Sequence, residues 1–239
     1  TGGIAAYKSL ELVRRLKEKG VKVTPVMTKA AENFVTPMSV SALAQERVYN
    51  ELFDLTDEAE MGHIELSRSA DLIVVAPASA DFIAKTATGQ ANDLASTLIL
   101  ATDTKVLMAP AMNVRMWENP LTQKNIKILH NNGVKFVGPD EGEMACGEFG
   151  FGRMAEADEI LKEIEANFRD KKLKGRHFLV TSGPTIEPID PVRFIGNRSS
   201  GLQGGAIANE LVESGAEVTF ITGPVDLDLP HGSNTIRVE

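Results

Sequence analysis

Several short strings in this 239-residue chain gather residue types that can do chemistry. The only cysteine, Cys146, stands in Glu141 to Met154 with four glycines around it. Glycine weakens both helix and strand, so the segment reads as a mobile lid that carries a thiol over a pocket. His63 sits in Met61-Gly62-His63-Ile64-Glu65-Leu66. Its ordinary pKa near ~6.5 suits acid-base work, and a surface or helix-cap histidine is the plainer alternative. No other His or Cys stands at metal-ligand spacing, so no metal site is expected. Asn113 belongs to Ala109-Pro110-Ala111-Met112-Asn113-Val114-Arg115-Met116-Trp117, just past a strand end. An amide there can donate to a carboxylate without adding charge. The plainer alternative is an Asn turn with the Met and Trp side chains packed as core.

Backbone-lined anion sites are expected beside these. Thr1-Gly2-Gly3-Ile4 can aim N–H groups from a helix start at a phosphate, or serve as a plain tight turn. It is not the G-x-G-x-x-G of dinucleotide-binding proteins, which counts against a dehydrogenase. Thr28 and Ser39 lie after a strand, on the ligand side of α/β sheets, but hydroxyls cap helices at least as often. Ser79 and Ala80 follow a buried strand directly, where small residues admit a ligand and where Ser79 or Asp81 could equally be an N-cap. Arg193, Asn197, Arg198 and Ser199-Ser200-Gly201 end a proline-rich stretch, Gly183 to Arg193, that is too proline-rich for a regular element.

The elements that must position these residues alternate in type. Leu10, Val13 and Leu16 recur at helical spacing, Gly20 follows as a C-cap, and Val21 to Met27 is expected as a strand. Continuous apolar runs at Leu72 to Ala76, Lys105 to Ala109 and Val134 to Val137 suit parallel strands covered on both faces. Helices are expected at Asp81 to Thr88, Leu94 to Ala101, Leu121 to Asn131 and Glu156 to Arg169, the last with Ile160, Leu161, Ile164 and Phe168 on one face. Asp170 to Gly175 is charged, ends in glycine and is the best linker candidate. A second set follows: strand His177 to Thr181, helix Ser200 to Ser214, strand Glu217 to Thr222. The reading is α/β: a parallel-sheet domain, then the start of a second built on the same logic. A strand is expected upstream of Thr1 and further chain after Glu239, because two strands are too few for a stable second sheet.

Composition narrows the function. Hydrophobic residues at 43% and charged ones at 24% are globular values. A net charge of −8 argues against a general nucleic-acid binder. One cysteine points to a reducing, cytosolic compartment, and no apolar run reaches the ~18 to 20 residues of a membrane span.

Read together, Thr1-Gly2-Gly3-Ile4-Ala5-Ala6-Tyr7-Lys8, Gly62-His63-Ile64-Glu65-Leu66, Pro110-Ala111-Met112-Asn113 with Met116-Trp117, Ala145-Cys146-Gly147-Glu148 with Gly152-Arg153-Met154-Ala155-Glu156, and Gly183-Pro184-Thr185 through Ser199-Ser200-Gly201 run through almost the whole chain. In kind and order they resemble the family of bifunctional coenzyme A biosynthesis enzymes, in which a phosphopantothenoylcysteine decarboxylase is fused to a phosphopantothenate-cysteine ligase. The decarboxylase half of that family belongs to the flavin-binding cysteine decarboxylases. The resemblance implies a Rossmann-like or flavodoxin-like FMN domain over residues 1–170 and the N-terminal part of a ligase domain over 176–239. It implies His63 as base, Asn113 as the holder of the substrate carboxylate with Met116 beside it, and Cys146 as proton donor. FMN would be held by Gly2, Gly3, Thr28, Phe34, Ser79, Ala80 and Ala111.

The chemistry implied suits those residue types. Loss of CO2 from a cysteine-derived carboxylate leaves electrons with nowhere to go, so an electron sink is needed first; oxidation beside sulfur to a thioaldehyde provides one. For the ligase half the resemblance implies CTP and Mg2+, Arg193 at the substrate and Asn197 at the acyl-cytidylate, with Leu202 standing where a lysine is expected. The ligase segments that bind CTP would lie beyond Glu239, so this stretch alone is not expected to ligate. A homo-oligomer, a trimer or a multiple of trimers, is also implied. Another flavin-dependent cysteine decarboxylase, a flavin prenyltransferase of the same fold and a non-catalytic regulatory flavoprotein are the alternatives.

Overall fold

The computed structural model describes residues 1–52, 63–143, 147–169 and 171–238, with only the backbone of residues 63 and 64. It divides into two units, Thr1–Ile164 and Glu165–Glu239. In the first, α1 (Ala6–Glu18), α2 (Pro37–Ala44) and α3 (His63–Arg68) precede β1 (Ile73–Ala78), α4 (Ala80–Ala87) and α5 (Leu94–Ala101). Then come β2 (Val106–Pro110), α6 (Val114–Glu118), α7 (Pro120–Asn131), β3 (Lys135–Phe136), the hairpin strands β4 (Asp140–Glu143) and β5 (Phe149–Arg153), and α8 (Ala157–Phe168).

The sheet order is β1-β2-β3, and both pairings are parallel. Every residue of β2 is buried, as a parallel strand covered on both faces must be. Its side chains alternate between two cores, as strand geometry dictates. Leu107 and Ala109 pack with Leu12 and Leu16 of α1 and with Ile160, Leu161 and Ile164 of α8. Val106 and Met108 pack with Phe82 and Ile83 of α4 and with Leu129 of α7. The apolar residues of α1 and α8 recur at three- and four-residue spacing because that spacing lines one helix face. Phe168, expected on the buried face of α8, is 57% exposed: only the first turns of the helix have sheet beneath them.

Two readings of the sequence change in this unit, and a third in the next. Residues 21–27 do not form a regular strand. They carry one isolated parallel bridge, Val26 with Tyr49, with the Met27 N–H on the Tyr49 carbonyl at 2.8 Å and the Tyr49 N–H on the Pro25 carbonyl at 3.0 Å. The glycine-rich stretch read as irregular is in part the antiparallel hairpin β4–β5. Its glycines permit close approach: a Cβ on Gly150 would fall 2.7 Å from Val114 Cγ2 of α6, and one on Gly142 would meet the Arg153 side chain at 2.7 Å. The linker candidate is a turn seated on the second unit. Leu173 packs against that unit's core, and its N–H reaches the Ser214 carbonyl at 3.0 Å.

The second unit holds β6 (His177–Ser182), β7 (Ile186–Pro188), β8 (Phe194–Gly196), α9 (Leu202–Glu213), β9 (Glu217–Thr222) and β10 (Asn234–Arg237). Its sheet, ordered β10-β9-β6, is parallel and three-stranded, one strand more than the two expected. The proline-rich stretch is not free of regular structure either. β7 and β8 pair as a hairpin, closed by Asp190, whose carboxylate accepts the Val192 and Arg193 N–H groups. Those two bonds, then the Arg193 guanidinium, lower its pKa. Mixed α/β architecture with parallel sheets is therefore the observed fold class.

Since Leu107 is fully buried between α1 and α8, Leu107→Ala should cost about 2–5 kcal/mol of stability in urea unfolding. A loss below 1 kcal/mol would mean that β2 is not the packed centre.

Candidate active site

The carboxyl ends of β1 and β2 bring the first unit's candidate residues together, as open α/β sheets do with their ligand sites. After β1, Ser79 caps α4, its hydroxyl accepting the Phe82 N–H at 3.3 Å, and Ala80 opens that helix. The Ser79 backbone N–H donates to Thr1 Oγ1 at 3.1 Å, and Thr1 Oγ1 in turn donates to the Pro77 carbonyl at 2.7 Å. The Gly2-Gly3 turn is thereby tied to the end of β1. On its other side a Cβ at Gly2 would lie 2.6 Å from Ala30 Cβ, which only glycine avoids. After β2, the Ala111 N–H bonds the Ala78 carbonyl at 3.0 Å and the Met112 N–H bonds the Gly152 carbonyl of β5 at 3.0 Å. Strand end, neighbouring strand and hairpin are joined at Ala111-Met112-Asn113.

A cavity of about 630 Å³ opens between these pieces. Gly3, Ile4 and Ala5 from the opening turn line it, as do Lys8, Asn113 and Arg153. Its volume falls within the range of small-molecule sites. The N-cap of α1, Ala5, makes no side-chain cap bond, and the first turn carries no acid. The backbone N–H groups and positive dipole end at that terminus therefore suit an anion. Thr28 adds a second signal. Its hydroxyl is buried without a hydrogen-bond partner among the described residues, and a ligand oxygen is the ordinary remedy for such an orphan. Thr28 lines a neighbouring cavity of about 170 Å³ with Thr1 and Ala76.

Asn113 is the N-cap of α6: its Oδ1 accepts the Arg115 N–H at 2.8 Å. Its Nδ2 donates to the Glu148 carboxylate. Lys8, 12% exposed at its side chain, donates from Nζ to the Met154 carbonyl at 3.1 Å and to Glu156 Oε1 at 2.6 Å. A lysine in the first turn of a helix opposes the dipole. That misplacement was a readable signal for Lys8, as was Glu148 within the cysteine string, yet neither residue was singled out from sequence. Near the hairpin, burial and then the Glu159 carboxylate raise the pKa of Asp140.

Other expected site residues lie elsewhere. Phe34 ends a short turn at Ala31–Asn33 and is 46% exposed; Met116 on α6 is 49% exposed; neither lines the larger cavity. His63 opens α3, but its side chain and Cys146 lie outside the described residues. Arg193 and Asn197 belong to the second unit. Arg193 pairs with Asp190 at 2.6 Å, and Asn197 accepts the Ser199 N–H at 2.9 Å. Thr185, Ser199, Ser200 and Gly201 there line a separate cavity of about 530 Å³, and Leu202 lines it as well. Among the described residues no group of acids, histidines or cysteines could hold a metal ion, and no helix is long and apolar enough to cross a membrane.

Residues 1–169 match the family described as Flavoprotein. The chain belongs to that family. Residues 173–239 match a second one, the DNA/pantothenate metabolism flavoprotein C-terminal domain. A coenzyme A biosynthesis bifunctional protein CoaBC of Vibrio vulnificus (strain YJ016) is 49% identical over 239 residues, covering all of this chain and 60% of that protein. Its counterpart in Escherichia coli (strain K12) is 48% identical over 231 residues, 96% of this chain and 57% of the relative. The chain thus spans about 60% of the length of such relatives. Among solved structures, a cysteine-to-serine mutant of PPC decarboxylase complexed with pantothenoylaminoethenethiol is 32% identical, with a TM-score of 0.63, over 70% of this chain and 93% of that one. The FMN binding protein AtHal3 is 31% identical, with a TM-score of 0.62, over 70% and 92%. Both the family resemblance and the flavodoxin-like fold expected from sequence therefore hold.

Gly2→Ala should push the opening turn away from Ala30 and cost about 1–3 kcal/mol of stability, read by chemical unfolding. An unchanged midpoint would show that the turn has room to spare.

Proposed function

We propose that the first unit is an FMN-dependent phosphopantothenoylcysteine decarboxylase, which removes CO2 from 4'-phosphopantothenoylcysteine to give 4'-phosphopantetheine. The observation that carries this reading is a single cavity lined both by the first turn of α1, which has no side-chain cap, and by Asn113. That arrangement suits a ligand set bearing phosphate and carboxylate. The similar solved structure named above is a PPC decarboxylase, and the similar full-length proteins are named for coenzyme A biosynthesis.

The residues present fit FMN. Thr28 offers a buried, unsatisfied hydroxyl, the Gly2-Gly3 turn and the start of α1 offer N–H donors, and Ser79, Ala80 and Ala111 border the same strand ends. We assign these residues, with Phe34, to holding the cofactor. Bound FMN supplies the two-electron acceptor chemistry that makes the carbon beside sulfur an electron sink. His63 acts as the base that takes a proton from the substrate. Asn113 donates from Nδ2 to the substrate carboxylate and, being neutral, holds it without the strong charge pairing that would oppose loss of CO2. Cys146 returns a proton to the carbon chain after decarboxylation, and Met116 borders the substrate. We extend the reading to the full-length protein: a homo-oligomer, trimer-based, whose ligase half joins cysteine to 4'-phosphopantothenate with CTP and Mg2+. Arg193 and Asn197 serve that second reaction.

Purified protein should be yellow, lose FMN on denaturation and release CO2 from 4'-phosphopantothenoylcysteine. Asn113→Asp sets like charges together and should lower kcat/KM by about 100-fold or more, on the order of 3 kcal/mol. Protein that neither binds added FMN nor turns over would sink the proposal. Cys146→Ser should still release CO2 while the oxidised enethiol accumulates, read by mass spectrometry of the products. Unchanged 4'-phosphopantetheine formation would remove the proton-donor role.

A further inference from the structure

The donor face of Asn113 already holds a carboxylate in this structure. As N-cap of α6, the amide has committed its oxygen to the Arg115 N–H at 2.8 Å. An amide held by its oxygen turns its N–H donors away from the helix, and what they meet is Glu148, 35 residues later in the chain. The meeting is built into the fold. Gly150, two residues on, approaches Val114 of α6 so closely that a Cβ would sit 2.7 Å from Cγ2. The Met112 N–H bonds the Gly152 carbonyl at 3.0 Å. These contacts fix the start of β5 against the start of α6, and with it the reach of the half-buried Glu148 side chain.

We propose that the Glu148 carboxylate is an internal stand-in for the substrate carboxylate, occupying the Asn113 amide until substrate displaces it. The proposal rests on the decarboxylase reading above and goes beyond it by giving Glu148 a part. Two carboxylates on one amide would lie a few ångströms apart in a half-buried site, where like charges repel strongly. The amide nitrogen has two N–H donors, so it is the repulsion between the two carboxylates that sets substrate and Glu148 in competition there. The product has no carboxylate and meets no competitor, so Glu148 can return to Asn113 as CO2 leaves. Glu148 is in this way a specificity-setting residue: it weakens the binding of the carboxylate form alone and keeps the amide satisfied between turnovers.

The test uses the full-length, FMN-loaded protein and two unreactive probes, read by perturbation of flavin absorbance. One is 4'-phosphopantothenoylserine, whose hydroxyl replaces the thiol; the other is the corresponding ethanolamide, which lacks the carboxylate. Glu148→Gln keeps the shape and an acceptor but removes the charge. The variant should bind the serine probe on the order of tenfold more tightly, with the ethanolamide unchanged. Glu148→Ala should show the same preference. Weaker binding of the serine probe, or an equal shift for both probes, would identify Glu148 as a support for Asn113 and overturn the stand-in. Wild-type protein that binds both probes, with unchanged ratios in both variants, overturns the stand-in alone. Wild-type protein that binds neither FMN nor either probe removes the decarboxylase reading and this proposal with it.

Discussion

The burial of β2 on both faces is the constraint on which the first unit depends. Five consecutive buried residues, Val106–Pro110, leave no side chain for solvent, so helices must cover both sides. α1 and α8 take one side and α4 and α7 the other. That sandwich decides where the chain emerges: Ala111-Met112-Asn113 leaves the strand at its carboxyl end, beside the end of β1 and the hairpin strand β5. The candidate chemistry sits at this exit because open α/β sheets present their ligand sites at the carboxyl ends of the strands, and here the exit is pinned to β1 and β5.

Much of this was legible. Apolar runs such as Leu72 to Ala76 and Lys105 to Ala109 announce buried parallel strands, and the 3.6-residue period announces the helices between them. Glu217–Thr222 and Leu94–Ala101 are observed with the bounds expected. What local pattern misses is pairing that depends on distant partners. The stretch 21–27 has the composition of a strand, but strand identity requires a neighbour, and among the described residues it pairs through a single bridge, Val26 with Tyr49. Conversely Asp140–Glu143 and Phe149–Arg153 are rich in glycine and charge, yet their antiparallel pairing and the fit of Gly150 on Val114 hold them in register. In the candidate site, the places of Asn113 just past a strand end and of Gly3 in a turn at a helix start were legible from the residues, while Ala111 came only with the family resemblance. Lys8 and Glu148 left a trace in the sequence, but their partners, 148 and 35 positions away, could not be read from it.

Charge tells a similar story at a smaller scale. In a chain with net charge −8, the anion site proposed above relies mostly on groups that carry no formal charge: backbone N–H at the start of α1, the Thr28 hydroxyl and the Asn113 amide. Such donors grip an anion through geometry more than through field, so their selectivity resists salt better than that of exposed lysines. Lys8 and Arg153, two cations that line the cavity, both pair with Glu156.

The bond between Lys8 and the Met154-Glu156 segment spans nearly the entire first unit. The cavity wall is therefore made from the earliest and the latest residues of that unit, with Gly3 on one side and Arg153 on the other. During synthesis this cavity lacks part of its lining until residues 152–154 have emerged and settled beside the first helix. A ligand that touches both walls can recognise only the finished unit, so its binding energy adds to the folded state alone.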